Sequence, residues 1–310
     1  MKISGFTIIR NAAVYDFPIV ECITSALELV DEFVVVAGDS KDNTDELLAS
    51  IKSPKLRIIR SNWDVAKYRE RGMVYAHQTD LALQACTGDW CLYLQSDEVL
   101  LESSISAIRA ACEKHLGDQR VEGFLLRYVH IYADYRHWID SLHFAYPREV
   151  RIVRGHRPDI HSWRDAQSFR SIPDFDYKDY WQTEGTRKLR CVLLDAWLFH
   201  YGWSRDPRCM TPKIAEQTSM HEPGKTVEAR PYHDYGNLDC MPLWTKPQPE
   251  AMARRIAAMS WSDLLRHEGP RPRIAKRYGL KYRLVTFIEN KILRGGRRIG
   301  GFKNYELIKP

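Results

Sequence analysis

No stretch of this 310-residue chain approaches the ~20 consecutive apolar residues that a bilayer-spanning helix needs. No basic-then-apolar leader with a cleavage site precedes the first strand pattern, so a cytoplasmic protein is expected. Cysteine is sparse and odd in number. Cys22, Cys86, Cys91, Cys112, Cys191, Cys209 and Cys240 are scattered, with no C-x-x-C pair among them. That argues against a disulfide framework or a zinc site and for reduced, buried thiols. The eleven histidines show no H-E-x-x-H or finger spacing, and His156 and His161 have no third ligand nearby in sequence. After the first strand pattern stands Arg10-Asn11-Ala12-Ala13-Val14, which lacks the glycine-rich loop that cradles a triphosphate. Apolar residues are not scarce: at 44% they suffice for a sizeable core and set disorder aside.

What is present is an alternation. Ile3 to Ile9 reads as a strand, Ile19 to Val30 as an apolar-periodic helix, and Phe33 to Ala37 as a β-branched strand. Asp45-Glu46-Leu47-Leu48 starts a second helix, Leu56 to Arg60 is a third strand, and Gly72 to Ala85 is helical. Strands and helices at this spacing indicate βαβ units and a mostly parallel sheet. The most informative stretch runs from Gly88 through Leu94 to Gln95-Ser96-Asp97-Glu98. It is a turn, a short buried strand, and then acids delivered at the strand's carboxyl end, where open α/β sheets bind ligands. Two adjacent carboxylates there suit a hard divalent cation, or else an acidic helix start.

These features resemble the nucleotide-sugar half of a family 2 glycosyltransferase of the GT-A fold. The resemblance rests on Val36-Ala37-Gly38-Asp39-Ser40-Lys41-Asp42-Asn43-Thr44, an acidic turn after a strand, and on Gln95-Ser96-Asp97-Glu98 in place of an Asp-x-Asp element. Gly72 followed by Asp80, and His200 within Trp197-Leu198-Phe199-His200-Tyr201-Gly202-Trp203, match further family positions. Gln95 replaces the first acid, and the Gln-x-Asp-Glu form is similar to that of a bacterial branch of the family. The resemblance covers roughly 1–205. It implies a GT-A-type, Rossmann-like, mostly parallel α/β sheet flanked by helices, with a nucleotide-sugar half over 1–100 and an acceptor half over 101–205. Residues 206–310 are then a helical, basic extension.

The implied reaction moves a sugar from a nucleoside-diphosphate sugar to a saccharide or lipid-linked acceptor, with Mn²⁺ or Mg²⁺ as the cofactor, in cell-surface polysaccharide synthesis. Asp97 is the first choice for the metal, with Glu98 and His200 as partners. Glu98 also fits a helix cap, and His200 a core histidine. Arg10, Asn11, Asp39, Gln95 and Ser96 are assigned to the nucleotide, and Arg71 to the diphosphate; Asn11 and Asp39 also fit plain turn roles. For the base that takes the acceptor's proton, Asp165 is preferred and Glu149 is second. Aromatic residues around Tyr128, His130, Trp138, His143, Phe144 and Tyr146 suit sugar stacking or core packing, and 170–187 reads as a mobile polar loop.

Charge gathers near the end of the chain. From Arg271 to Lys303 eleven Lys and Arg stand against one acid, Glu289, while the whole chain carries only +6. Leu284, Phe287, Ile288 and Ile292 fall there at helical spacing. A basic amphipathic segment reads as an anchor on an anionic membrane surface, here the inner face, or as a helix packed on the catalytic domain. No nucleic-acid recognition motif accompanies the charge, so nucleic acid is not an expected partner.

Overall fold

Runs of β-branched and aromatic residues alternate with short amphipathic helices in the computed structural model, which describes residues 1–141, 145–228, 230–239, 241–265, 279–293, 299 and 303–308. Strands β1 (Ile3–Ile9), β2 (Glu32–Ala37) and β3 (Leu56–Arg60) are separated by helices α1 (Ile19–Ala26) and α2 (Thr44–Ser50). Helix α3 (Met73–Ala85) then leads into β4 (Trp90–Tyr93). The four strands are parallel, in the order β3-β2-β1-β4. β1 and β4 are buried along their whole length, which is why they read as near-continuous apolar runs. Parallel strands end at one edge, so Arg10, Gly38 and Gln95 emerge together there.

Beyond β4 the sheet changes direction. The elements that follow are β5 (Glu98–Leu100), α4 (Ile105–Lys114), β6 (Gly123–Ala133), β7 (Trp138–Ile139), β8 (Arg148–Arg154), β9 (Ile160–Trp163), β10 (Ser168–Ser171) and β11 (Arg187–Ser204). β8 inserts antiparallel between β4 and β6, β11 runs parallel to β6, and the β9–β10 hairpin closes the far side. The result is a curled α/β sheet flanked by helices, of the class the sequence implies. On one face Trp90, Leu92, Phe124 and Ile152 meet Ile23 of α1 and Ile108 and Cys112 of α4. The Trp90 indole N–H donates to the Cys112 carbonyl at 3.0 Å, so the ring is buried without an orphaned donor.

β11 matters most for the site. Its register against β6 shifts between Leu193 and Trp197 and again between His200 and Trp203. Such irregularities bend a strand and re-aim its side chains. β5 pairs with it antiparallel so that Glu98 lies opposite His200.

After β11, helix α5 (Pro207–His221) starts with Asp206 accepting from the Arg208 amide at 2.8 Å and Pro207 in its first turn. Helices α6 (Ala253–Ala257) and α7 (Leu280–Phe287) and strand β12 (Tyr305–Leu307), which pairs with β11, complete the described chain. Among the described residues no helix is long and apolar enough to cross a membrane.

One segment differs from its sequence reading. The stretch 170–187 carries Ile172 and Tyr180 fully buried, with Phe175 nearly so, packed against Tyr68 and Trp163. Three apolar side chains among the acids pin what the polar composition alone suggests is loose. Much of 271–303 lies outside the described residues, as do His143, Phe144 and Cys240.

Candidate active site

A cavity of about 440 Å³ opens at the edge where β1 and β4 end, walled by the 165–167 turn and by α5. Of the residues singled out in the sequence, Arg10, Gln95, Ser96, Asp97, Asp165 and His200 line it. Asn11, Asp39, Arg71, Glu98 and Glu149 do not.

Asp97 and His200 face each other across the β5–β11 pairing, with Asp97 Oδ1 3.7 Å from His200 Nε2. A hydrogen-bond chain fixes the imidazole. His130 Nε2 lies 2.7 Å from the Tyr146 carbonyl, which can only accept, so that nitrogen carries a proton. Burial lowers the His130 pKa to about 3, so the ring is neutral and its Nδ1 accepts from His200 Nδ1 at 3.0 Å. Burial also lowers the His200 pKa to about 4, against the pull of Asp97. His200 Nε2 therefore presents a lone pair toward Asp97, the tautomer a metal ligand needs, held by a second imidazole. Gly202 permits this approach: a Cβ there would sit 2.5 Å from the His200 ring and 3.0 Å from Asp97 Oδ2.

Two cationic side chains approach the same carboxylate. Lys213 Nζ and the Arg205 guanidinium lie 3.9 and 3.5 Å from Asp97 Oδ2. Burial raises the Asp97 pKa, but the charges of Lys213 and Arg205 beside it help to bring it below the ordinary carboxylate value. Lys213 is itself brought down to about 7 by burial, with Arg205 adding to the effect. Among the described residues no three His, Cys, Asp or Glu side chains gather as a closed metal site. Asp97 and His200 would be the protein ligands of an open one.

Glu98 stands behind this pair. Arg151 grips it with two bonds of 2.9 Å, from Nε and from one terminal nitrogen, and both side chains are fully buried. The Tyr128 hydroxyl and the Gln95 amide also donate to it, at 2.8 and 3.1 Å. Its lone pairs are committed, which leaves it an organising role. Arg151 reaches on to the Gln167 carbonyl at 2.9 Å, and the Gln95 side-chain amide donates to the Ala166 carbonyl at 3.3 Å. The Gln95–Glu98 turn is thus tied to the turn that carries Asp165.

That turn is strained. Arg164 and Ala166 on either side of Asp165 have φ of 64° and 63°, in the left-handed region that non-glycine residues avoid. Asp165 Oδ2 meets His221 Nε2 at 3.1 Å. Gly72, at φ 70°, makes room: a Cβ there would fall 2.8 Å from both Asp165 Cβ and His221 Nε2. Glu149 is enclosed instead, accepting from Ser168 Oγ and the Val150 amide at 2.9 Å. Its pKa is raised by burial, partly offset by Arg151.

The remaining candidates serve the first turn. Asn11 accepts from the Lys41 amide at 2.9 Å, and Ser40 Oγ accepts from the Asn11 amide at the same distance. Asp39 pairs with Arg10 Nε at 3.1 Å, and the Arg10 guanidinium lies 5.5 Å from the Trp63 ring centroid. Arg71 stacks outside the cavity on Trp181, at 5.4 Å. Asp80, the counterpart of Gly72, is buried and ties α3 to β9 through His161 Nδ1 at 3.0 Å and the Ser162 amide at 2.5 Å.

Helix α5 supplies what the sequence reading missed. Lys213, Glu216, Gln217 and His221 line the cavity from one helical face, and Glu216 pairs with Arg10 at 2.9 Å. Their i, i+3, i+4, i+8 spacing was a usable signal. Trp63 and Tyr75, packed edge to face at 5.4 Å, form an aromatic wall that no motif marked.

No curated protein matches the chain. Among solved structures it is similar to Staphylococcus aureus TarS at 15% identity and a TM-score of 0.38, over 72% of this chain and 40% of that one. It is similar to glucosyl-3-phosphoglycerate synthase from Mycobacterium tuberculosis at 18% identity and a TM-score of 0.28, over 42% and 44%. Mannosyl-3-phosphoglycerate synthase from Rubrobacter xylanophilus gives 22% and 0.30, over 43% and 41%. The chain thus spans less than half the length of these three. The profile of glycosyl transferase family 2 matches residues 17–171, half of the chain and all of the Asp97 and Asp165 turns, and the chain belongs to that family.

Proposed function

We propose that the protein transfers a sugar from a nucleoside-diphosphate sugar to a hydroxyl of a saccharide or lipid-linked acceptor, with inversion and with a divalent cation, in the synthesis of cell-surface polysaccharide. The observation that carries this reading is the pairing of Asp97 with a neutral, oriented His200 in one wall of the cavity, while Asp165 stands in another.

Asp97 and His200 would hold Mn²⁺ or Mg²⁺, which supplies charge neutralisation for a departing diphosphate. Arg10, on the cavity wall, adds fixed positive charge for the same group, and Lys213, with a pKa brought down to about 7, adds charge when protonated. Trp63 and Tyr75 offer flat faces to the base or the sugar. Asp165 takes the acceptor hydroxyl's proton as that oxygen bonds to the anomeric carbon. The carbon–oxygen bond to the diphosphate breaks, and its electron pair leaves with the diphosphate. One displacement inverts the anomeric centre.

Helix α7 supports a membrane-side acceptor. Leu280, Leu284 and Phe287 of α7, and Ile292 just beyond it, are between 56% and 87% exposed. Lys281, Arg283 and Lys291 are exposed beside them. Apolar burial and attraction to anionic lipid act together on such a helix.

The test is a thermal-shift screen of nucleoside diphosphates with and without Mn²⁺, followed by turnover of the matching sugar nucleotides. Metal-dependent stabilisation by one diphosphate and release of that diphosphate from its sugar are expected. Stabilisation indifferent to Mn²⁺ would remove the metal from the account.

A further inference from the structure

The contact between Asp165 and His221 has a consequence for the reaction. His221 Nδ1 lies 2.8 Å from the Gln217 carbonyl within α5, and a carbonyl can only accept, so Nδ1 carries a proton. Nε2 lies 3.1 Å from Asp165 Oδ2. A neutral ring would then turn a lone pair on a carboxylate, so the contact holds only with a proton between the two. The backbone keeps the partners in place. Arg71 and Gly72 donate their amides to the His221 and Met220 carbonyls at 3.1 and 2.9 Å, docking the end of α5 on the start of α3. The left-handed Gly72 leaves space for both side chains.

We propose that His221 is a positioning residue for the transfer: its Nε2–H holds Asp165 Oδ2, fixes the carboxylate in the strained 164–166 turn, and leaves Oδ1 to receive the acceptor's proton. This rests on Asp165 as the base. It gives the end of α5 a role in the acceptor half of the site, while Lys213, two turns earlier, serves the donor half.

Glu216 and Arg10 line the same cavity as the pair and act with Asp165 on the Tyr75 ring. Glu222 follows His221 in the chain, the Tyr75 ring lies 6.0 Å from the imidazole, and Arg164 neighbours Asp165. The hydrogen bond that His221 donates to Asp165 is the largest influence on its pKa and raises it, against the opposing effect of burial. The bridging proton is therefore present below the ordinary histidine pKa of 6.5 and is lost as pH rises through the raised value. Activity should carry an alkaline limb set by His221.

Two measurements on the full chain test this. Ring titration by NMR should give a His221 pKa above 6.5 in the parent that falls in Asp165→Asn. pH–rate profiles of diphosphate release, with water or added saccharides as acceptor, should separate the variants. His221→Ala should lose roughly tenfold or more in kcat with donor KM unchanged, the size expected for a mispositioned acid–base group. His221→Gln, whose amide donates at every pH, should recover part of that loss and flatten the alkaline limb. A parent-like rate in His221→Ala, or the parent's alkaline limb in His221→Gln, would overturn the role of His221. Unchanged turnover in Asp165→Asn would instead overturn Asp165 as base, and the ring titration would still report whether the pair exists.

Discussion

Replacing Glu98 with Gln separates the organising role from a metal-binding one. The carboxylate is fully buried and accepts four hydrogen bonds, two of them from the equally buried Arg151. Burial disfavours the Arg151 charge, but the Glu98 carboxylate more than offsets this and raises the guanidinium's pKa, so Arg151 stays charged. Glu98→Gln leaves that cation without its partner. Removing one member of a buried pair costs about 3–5 kcal/mol. For a chain of this size that lowers the melting temperature by roughly 5–8 °C. Arg151→Met should cost a similar amount, because it strands the carboxylate. The double variant Glu98→Gln/Arg151→Met should melt above either single one, since the stranded charge is gone from both sides. The assay is thermal or urea unfolding of all four proteins without metal. A Glu98→Gln protein that melts like the parent, and loses only Mn²⁺ affinity, would refute the reasoning and return Glu98 to the metal.

Three further outcomes follow from the same structure. Glu122, fully buried, is held at a pKa of about 2: burial raises it, but Arg187 and Arg190 overcome that. Its contribution, about 3 kcal/mol from the shift, is present above the ordinary value of 4.5 and lost as pH falls toward 2. Acid titration of stability should therefore be shallower in Glu122→Gln over that window, and identical slopes would count against it. Gly202→Ala should fold but weaken Mn²⁺-dependent donor binding, because its Cβ collides with the His200 ring; unchanged metal titration would sink that argument. A chain ending after Gly269 should lose co-sedimentation with anionic vesicles while the full chain keeps it at low salt, each basic residue near the surface contributing about 1 kcal/mol. Equal binding by both chains, or none by either, would leave α7 without a lipid role.

The sequence showed much of this architecture for a physical reason. In β1, β2 and β4, strand signal, burial and turn chemistry all agree, so local pattern and global fold give one answer. Asp97 was visible because its strand-end position carries the chemistry by itself. His200 was visible only through a likeness, since nothing local sets a histidine in β11 apart from a core one. The fates of Glu98 and Glu149 were hidden, because each depends on a partner far along the chain: Arg151 is 53 residues from Glu98, and Ser168 is 19 from Glu149. The face of α5 was hidden differently. Lys213, Glu216 and His221 look like an ordinary solvated helix until Asp97, Arg10 and Asp165 are seen opposite them. Arg71, with a positive φ and a Trp181 stack, serves the outer surface instead of the cavity.

The central claim is that the two sides of the cavity divide the reaction, Asp97 serving the donor and Asp165 the acceptor. The direct measurement is nucleoside-diphosphate binding with Mn²⁺ beside sugar-nucleotide turnover, in the parent, Asp97→Asn and Asp165→Asn. The account predicts that Asp97→Asn loses both Mn²⁺-dependent binding and turnover, while Asp165→Asn binds like the parent and turns over little. Parent-like binding by Asp97→Asn, or equal turnover by Asp165→Asn and the parent, would contradict it.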